Sequence, residues 1–331
     1  MTTDASGNVF VFDQRTVRRI DAVTGVIQTV VGSIYRGVPT QGQSALAPTF
    51  LDDAAEDAVV TPTGQVHLLS ADQLWRVEDG RLRWLATGPF RGIDAGPDGT
   101  VFVNGGSSGV FALAPGTSTL ARWSEGSFDS VRAGAPGQAY GRTAAGIWRL
   151  TSQGRELVAG GGTAGPSGGA RALDLNLREP AGVDFDVLPD GQLVIGRHEG
   201  HGTGFACSTW RTHANGTVSA VATVGVRLCR PAAAGTDVLL LSNDAIVRFA
   251  ADGSEATTTG RPYAGGVGSS PDGTPAARAF SRGMADLHRD ADGRLLFRTA
   301  AQVRGINAAG GLHAVRPSGR GSRLDRPDAG G

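Results

Sequence analysis

Residues 97–116 read PDGTVFVNGGSSGVFALAPG, and this stretch contains the pattern that decides the fold. Its two apolar runs, VFVN and VFALA, each have the length and composition of one β-strand. Gly99 precedes the first run and Gly116 follows the second, and both belong to short turns. A tight turn between antiparallel strands needs a positive φ, which glycine adopts without strain. The stretch therefore predicts two central strands of a unit that continues into a further strand beyond each turn.

The same unit recurs along the chain. Seven pairs of glycine turns are present, and in all but one pair the two glycines are 16–18 residues apart. The pairs are Gly7/Gly25, Gly64/Gly80, Gly99/Gly116, Gly137/Gly154, Gly191/Gly216, Gly235/Gly253 and Gly293/Gly310. Each unit predicts four antiparallel strands, so the chain is expected to be all-β, a closed β-propeller of seven four-stranded blades. Six blades are the alternative if the first unit, which only MTTD precedes, is incomplete.

The chain length, composition and net charge restrict the classes to which the protein can belong. The chain has 331 residues, of which 40% are hydrophobic, and its 31 basic and 31 acidic residues cancel. This balance argues against nucleic acid or an acidic membrane as a partner recognised through bulk charge. Residues 1–316 are expected to form one monomeric domain, followed by a disordered tail at 317–331. No apolar run approaches the ~20 residues of a membrane span, and no secretory signal is visible, which favours a cytoplasmic or unassigned location.

The chain has two cysteines, Cys207 and Cys229. They fall in predicted strands that are not neighbours within one blade. Two buried thiols are therefore expected, and whether the cysteines pair is left open.

Three inserts rich in Gly, Pro and Ala each precede the first strand of a unit. They are VGSIYRGVPTQGQSALAP at 31–48, AGGGTAGPSGGARALDLNLREP at 159–180 and YAGGVGSSPDGTPAARAF at 263–280. We call the face that carries the connections between units the upper face, and the face that carries the glycine turns the lower face. The inserts are expected to crowd the upper face. Because the cost of loop closure grows slowly with length, they should be able to change without loss of the fold.

The repeated units resemble NHL repeats. The stretches DASGNVFVFDQRTVRRID, PAGVDFDVLPDGQLVIGR and ADGRLLFRTAAQVRGI carry this resemblance, and the inserts resemble segments that precede repeats in some bacterial NHL proteins. The resemblance implies a closed propeller, commonly of six blades, that serves mainly as a binding platform. The expected function is a non-catalytic binding or scaffold propeller that presents its upper face to a protein, peptide or glycan.

Two sets of side chains on the predicted upper face are candidates for binding. The first set consists of arginines at equivalent corners after the first turn of a unit, namely Arg142, Arg197 and Arg298. Guanidinium groups pair with carboxylate or phosphate. The second set lies in the long loop of the fifth unit and consists of His198, Glu199 and His201. Its spacing among glycines does not suit a zincin helix, although two imidazoles and a carboxylate could hold a metal.

Acidic residues near the innermost strands provide the alternative, an enzyme. The weak candidates for metal ligands are Asp94, Asp129, Asp184 and Asp286. Carboxylates that converge on the axis could hold Ca²⁺ or another divalent metal, as in a lactonase-like hydrolase or an enzyme similar to streptogramin lyase. Aspartate in this position also bonds neighbouring backbone. No cofactor is expected and no catalytic residue is assigned, so catalysis is left open and binding is favoured.

Overall fold

The computed structural model describes residues 2–13, 16–24, 26–33, 37–47, 57–70, 72–165, 169–178, 182–199, 206–224, 230–234, 237–241, 246–249, 255–259, 285–289, 295–298, 303–306 and 312–314. For many residues of the last three sheets, only the backbone is described. The expected tail, the whole third insert, His201 and Cys229 lie outside the described residues.

The described residues form 28 strands in seven four-stranded antiparallel sheets, which we number in chain order. The first strands of the sheets are β1 (Thr2–Thr3), β5 (Asp57–Val60), β9 (Gly92–Ala95), β13 (Ser130–Ala133), β17 (Val183–Val187), β21 (Arg230–Ala234) and β25 (Ala285–Arg289). The second strands are β2 (Val9–Asp13), β6 (Val66–Ser70), β10 (Val101–Asn104), β14 (Ala139–Thr143), β18 (Leu193–Glu199), β22 (Asp237–Leu241) and β26 (Leu295–Arg298).

The outer half of each sheet completes the set. The third strands are β3 (Thr16–Ile20), β7 (Gln73–Glu78), β11 (Val110–Leu113), β15 (Gly146–Thr151), β19 (Ala206–Thr212), β23 (Ile246–Phe249) and β27 (Val303–Ile306). The fourth strands are β4 (Ile27–Gly32), β8 (Arg81–Thr87), β12 (Ala121–Ser124), β16 (Gly154–Gly160), β20 (Val218–Val224), β24 (Glu255–Thr259) and β28 (Leu312–Ala314). Helix in the described part is limited to two short 3-10 turns, Gly106–Ser108 and Ala172–Asp174.

The all-β fold and the four-stranded unit are confirmed. The glycines of the first turns, from Gly7 in sheet 1 to Gly191 in sheet 5, have φ between 72° and 82°. These are the left-handed values that the turns require and that a β-carbon would oppose. The first strand of sheet 1 is short, as MTTD predicts, yet the sheet still has four strands.

The hydrophobic core lies between successive sheets. Phe10 and Val17 of sheet 1 pack with Leu68 and Trp75 of sheet 2, and similar clusters join sheets 2 and 3, 3 and 4, 4 and 5, and 5 and 6. The first strands of neighbouring sheets contact one another along the chain, so they form the inner layer. Leu296 of sheet 7 shares a cluster with side chains of sheet 1, which are Val9, Val11 and Ile20.

The first two inserts do not lie where the sequence predicts. In each, a described segment runs along the outer edge of the following sheet and reaches the lower face. Gly42 N–H donates to the Leu82 carbonyl at 2.8 Å, and Ala45 N–H donates to Gly80, also at 2.8 Å. The fourth strand of a sheet has an unpaired edge, and the insert satisfies part of it. The expectation that these inserts crowd the upper face is therefore wrong for their described segments.

The second insert repeats this arrangement on sheet 5. Gly169 N–H donates to Val218 at 2.9 Å, and Ala172 N–H donates to Gly216 at 2.8 Å. Ala172 also belongs to the hydrophobic cluster between sheets 4 and 5, just as Ala45 belongs to the cluster between sheets 1 and 2. These inserts are consequently part of the core and not dispensable loops.

Cys207 is disulfide-bonded, which corrects the expectation of two buried thiols. It lies in β19 and is buried. The expectation rested on the neighbouring strands of one blade, whereas strands of successive sheets also meet: β21, the first strand of sheet 6, contacts β18 of sheet 5. The other cysteine, Cys229, lies outside the described residues.

Candidate functional site

Two of the predicted corner arginines have contacts within the protein. Arg142 is the penultimate residue of β14 and forms an ion pair with Asp129 at 3.3 Å. Arg197 in β18 donates through Nη1 to the Asn176 carbonyl at 3.0 Å. Its guanidinium carbon also lies 6.0 Å from the ring centre of Trp210. Arg197 therefore helps to hold the second insert against sheet 5.

The corners of Arg142 and Arg197 are less alike than the sequence predicts. Both residues pair with the first residue of the inner strand of their sheet, Ser130 and Val183 respectively. Val183, however, belongs to the cluster between sheets 4 and 5, so it faces the preceding sheet. Arg132, two residues after Ser130, interacts instead with the following sheet. Side chains alternate along a strand, and residues that pair across two strands lie on the same side of the sheet. Arg142 therefore faces the following sheet, as Ser130 and Arg132 do, whereas Arg197 faces the preceding sheet, as Val183 does.

The other predicted binding residues are described only in part. The backbone of Arg298 pairs with Ala285, at the first residue of the inner strand of sheet 7. His198 and Glu199 end β18, where their backbones pair with β19. The side chains of these residues and the whole of His201 lie outside the described part, so their binding role stays a prediction.

The inner-strand aspartates mainly hold neighbouring strands together. Asp57 Oδ2 accepts the Ile93 N–H at 3.0 Å, which links sheet 2 to sheet 3. Asp94 Oδ2 accepts the Ala133 N–H at 2.8 Å, which links sheet 3 to sheet 4. Asp184 lies 3.5 Å from Arg132, which links sheet 5 to sheet 4. Each carboxylate thus reaches across to the adjacent sheet.

Protein surrounds Asp57 and Asp94 and raises the pKa of both carboxyl groups. Burial raises the pKa of Asp57 to about 6, although the Ile93 and Ala58 amides act to lower it. Burial also raises the pKa of Asp94, against the opposing charge of Arg132. These groups therefore bind a proton more readily than an exposed aspartate does.

The described side chains among the predicted metal ligands make contacts with neighbouring residues of the protein. No group of three or more His, Cys, Asp or Glu side chains that could hold a metal occurs in the described part of the chain. Asp129 is paired with Arg142, and the side chain of Asp286 lies outside the described residues. Asp94 and Asp184 make the contacts given above, so the alternative role of aspartate, bonding neighbouring strands, fits both.

A recess of about 620 Å³ lies between sheets 4 and 5 on the lower face, where the sequence indicated no site. Its walls are the turns β13–β14, β17–β18 and β19–β20, parts of β15 and β16, and the 3-10 turn of the second insert. We call it the 4/5 recess. A shallower depression of about 400 Å³ adjoins it and shares Gln138, Arg149 and Glu156. The volume is in the range of ligand-binding pockets, about 300–1,000 Å³.

Polar side chains line the 4/5 recess and are fixed by their neighbours. Tyr140 donates its hydroxyl to the Gly191 carbonyl at 3.1 Å, and burial raises its pKa. Asp190 accepts from the Gln192 amide at 2.8 Å and pairs with Arg211 at 3.3 Å. His213 Nε2 lies 2.8 Å from the Ser219 hydroxyl. These groups present both hydrogen-bond donors and acceptors to a ligand.

Sequence reasoning missed the 4/5 recess because its residues come from six separate segments. One weak signal was available: the aligned strings QSALAP at 43–48 and ARALDL at 170–175 share an Ala-Leu pair, which follows Ser44 in the first insert and Arg171 in the second. In the structure these two residues occupy the same place, each facing the start of the fourth strand in an isolated antiparallel bridge.

The fold is similar to solved extracellular domains. One is that of BT4673, a protein assigned to a hybrid two-component system in B. thetaiotaomicron, with a TM-score of 0.53 and 10% identity. The match covers 95% of this chain and 37% of that one, so this chain spans little more than a third of its neighbour. The extracellular domain of BT3049, from the same organism, has a TM-score of 0.47 and 11% identity over 80% of this chain and 35% of that one.

Other comparisons give no match. No family model matches the chain, so the resemblance to NHL repeats is not confirmed. No curated protein matches it either. At 10% identity, the likeness to BT4673 shows the fold alone.

The expected cytoplasmic location is contradicted by the structural comparison, because the similar domain of BT4673 is extracellular. Among the described residues, no helix has the length and hydrophobicity needed to cross a membrane.

Proposed function

We propose that this chain is an exported, non-catalytic binding domain, and that its ligand occupies the 4/5 recess. The observation that carries this proposal is the recess itself: a preformed cavity of about 620 Å³ whose polar groups are held in place by surrounding bonds. The ligand is a glycan, a peptide or a segment of a protein. Export is supported by the disulfide at Cys207, since such bonds persist in oxidising compartments.

The architecture in this proposal is a closed NHL-type propeller of seven blades. Seven four-stranded sheets and the cluster that joins Leu296 to sheet 1 support closure. Removing residues 281–331 would delete sheet 7 and expose Val9 and Val11. We expect the truncated protein to aggregate or to lose cooperative unfolding, because each blade buries its faces only against its neighbours. A soluble truncated protein with a sharp thermal transition would contradict closure.

Binding in the 4/5 recess can be tested by filling it. Ala214 is an exposed wall residue in the β19–β20 turn, two residues before Gly216. Ala114 occupies the corresponding place before Gly116 in sheet 3 and is also exposed. On glycan and peptide arrays, the Ala214→Trp variant should lose the signals of the wild type, and the Ala114→Trp variant should keep them. Array signals that persist in the Ala214→Trp variant would exclude the recess as the binding site.

The predicted upper-face residues are proposed as a second contact surface. They are Arg142, Arg197, Arg298, His198, Glu199 and His201. A partner that binds there would remain bound to the Ala214→Trp variant, which separates the two surfaces in the same array experiment.

A further inference from the structure

The charges that line the 4/5 recess are balanced except at one residue. Arg149 pairs with Glu156, and Arg211 pairs with Asp190. Arg171, on the wall formed by the second insert, is exposed. Within the described part of the chain, no acceptor lies within hydrogen-bond distance of its guanidinium. The recess therefore offers one positive charge that the protein does not neutralise.

The place of Arg171 is fixed although its side chain is exposed. The flanking residues Ala170 and Ala172 hydrogen-bond to Val218 and Gly216 at 2.8 Å each. Ala172 is buried between sheets 4 and 5. The backbone that carries the guanidinium is thus anchored to the sheet on both sides, which lowers the entropic cost of binding a ligand there.

The remaining polar groups suit hydroxyls. Asn215 Oδ1 accepts from both the amide and the hydroxyl of Thr217, at 3.0 and 2.7 Å, which leaves the Asn215 NH₂ group as a donor. Tyr140 uses its proton on Gly191 and keeps oxygen lone pairs as acceptors. Gln138 adds an amide that can donate and accept. This mixture matches a ligand whose groups both donate and accept.

We propose that the 4/5 recess binds an acidic saccharide, with its anionic group on Arg171 and its hydroxyls on Gln138, Tyr140 and Asn215. This inference rests on the proposed function and specifies its ligand. Guanidinium forms paired, charge-assisted hydrogen bonds with carboxylate or phosphate. The adjoining depression, which shares Gln138, leaves space for a second sugar ring.

A saccharide fits these observations better than a peptide. An extended peptide commonly binds by adding a strand to an open sheet edge. In sheet 5 the insert already pairs with that edge beside the recess, through Gly169, Ala170 and Ala172. The recess thus offers side-chain polar groups and not a free ladder of backbone bonds on that wall.

Titration calorimetry with small probes tests the ligand class. D-glucuronic acid should bind to the full chain about tenfold more tightly than D-glucose, as expected for one charge-assisted contact. Glucose 6-phosphate distinguishes phosphate from carboxylate as the anionic group. Acetyl-Ala-Ala presents a carboxylate on a peptide. Tighter binding of this peptide than of both acidic sugars would contradict a saccharide as the ligand.

Two arginine substitutions on the second insert provide the matched comparison. Arg171→Gln should weaken the binding of glucuronic acid about tenfold and leave glucose nearly unchanged. Arg178→Gln removes an exposed guanidinium on the same insert but outside the recess, and should change neither. A preference for glucuronic acid that persists in Arg171→Gln would overturn the proposal, and so would the absence of binding by every sugar.

The outcomes also separate this inference from the proposed function. If glucose and glucuronic acid bind equally and Ala214→Trp abolishes both, the recess is a binding site and only its acidic preference is wrong. If sugars bind and Ala214→Trp has no effect, the recess itself is excluded and both proposals fail.

Discussion

The described segments 42–47 and 169–174 of the first and second inserts make the same backbone hydrogen bonds but carry different side chains, among them Ser44 in the first and Arg171 in the second. Ala45 and Ala172 each donate to the carbonyl of the glycine that precedes the fourth strand, at the same distance of 2.8 Å. The Ala47 N–H donates to the Ser44 carbonyl, and the Asp174 N–H donates to the Arg171 carbonyl, both at 3.0 Å. Ser44, in turn, accepts from the amide of Leu46 through its hydroxyl, whereas Arg171 lies on the wall of the 4/5 recess.

This comparison separates what the fold requires from what a ligand would use. The hydrogen bonds and the buried alanine are common to both inserts, so they stabilise the junction between sheets. The residue before the alanine is exposed in both inserts and makes no contribution to the core. It is therefore free to change, and this is the position where a charge occurs in the second insert.

The largest effect is expected when the shared alanine is replaced. Ala45→Asp and Ala172→Asp each place a carboxylate in a site with at most 2% exposure. We expect each to lower the free energy of unfolding by at least about 3 kcal/mol, since a buried charge without a partner is costly. Urea denaturation measures the loss. Leu46→Asp and Leu173→Asp are the controls at neighbouring exposed positions and should cost less than about 1 kcal/mol.

If one of the two alanine variants is much milder than the other, the inserts are not structurally equivalent. Equal losses in both, with mild controls, would establish that the inserts are structural elements, contrary to the expectation that they can change without loss of the fold.

The inner strands, unlike the outer sheet edges that the inserts cover, contain a buried aspartate whose pKa is raised. Asp57 has a folded-state pKa of about 6, above the ordinary value of 3.8. The folded state therefore holds the proton more tightly than the unfolded state, and stability falls as the pH rises through this interval. Between pH 4.5 and 7.5, we expect wild type to lose about 2 kcal/mol relative to Asp57→Asn.

The informative quantity is the difference in the free energy of unfolding between wild type and Asp57→Asn. His67 is buried, and burial together with the charge of Arg76 lowers its pKa to about 4. Its contribution has the opposite sign, since stability is then lost as the pH falls below 6.5. Asp57 is not among the groups that shift the pKa of His67, so the His67 contribution is common to both proteins and cancels. The charge of Asp94 acts on Asp57, so the coupling between these two carboxyl groups is part of the measured difference. Parallel stability curves for wild type and Asp57→Asn would contradict the raised pKa.

The glycine turns and apolar runs were sufficient to predict the sheets, because hairpin geometry and strand alternation are local properties. Residues such as Gly99 and Val101 specify their conformation with little help from distant parts of the chain. The path of each insert, by contrast, is set by contacts with residues that are distant in the sequence. It depends on Ala45 and Ala172 finding an unpaired strand edge that is 35–45 residues away in the sequence.

The candidate site was harder to predict than the fold. Arg142 and Arg197 have equal spacing from their turns to within one residue. A shift of one residue along a strand, however, moves a side chain to the other side of the sheet. The 4/5 recess requires the placement of Arg171 beside Asn215, which no local pattern encodes.

Exchanging the distinguishing residues of the two inserts should have an intermediate effect. Arg171→Ser should weaken the binding of glucuronic acid about tenfold, in agreement with the loss of one charge-assisted contact. Ser44→Arg should not create a second site, because Arg81 faces Ser44 and the like charge would disfavour an ordered guanidinium. Both variants should keep the stability of the wild type to within about 0.5 kcal/mol, because both positions are exposed. Two equivalents of glucuronic acid bound to Ser44→Arg would show that the recess is not specific to sheets 4 and 5.

The smallest effects are expected at the upper-face corners, where the two arginines can be compared in the same way. Arg142 keeps 26% of its side-chain surface exposed and Asp129 keeps 47%, and an exposed ion pair of this kind contributes less than about 1 kcal/mol. Arg142→Gln should therefore change the free energy of unfolding by no more than about 0.5 kcal/mol, and 1 M salt should remove even that difference. Arg197→Gln should cost more, about 1 kcal/mol, because the Arg197 guanidinium donates to the carbonyl of Asn176 in the insert. Urea denaturation at low and high salt measures both variants. Equal and salt-sensitive losses would mean that Arg197, like Arg142, makes only a solvated ion contact, and that it does not hold the second insert on sheet 5.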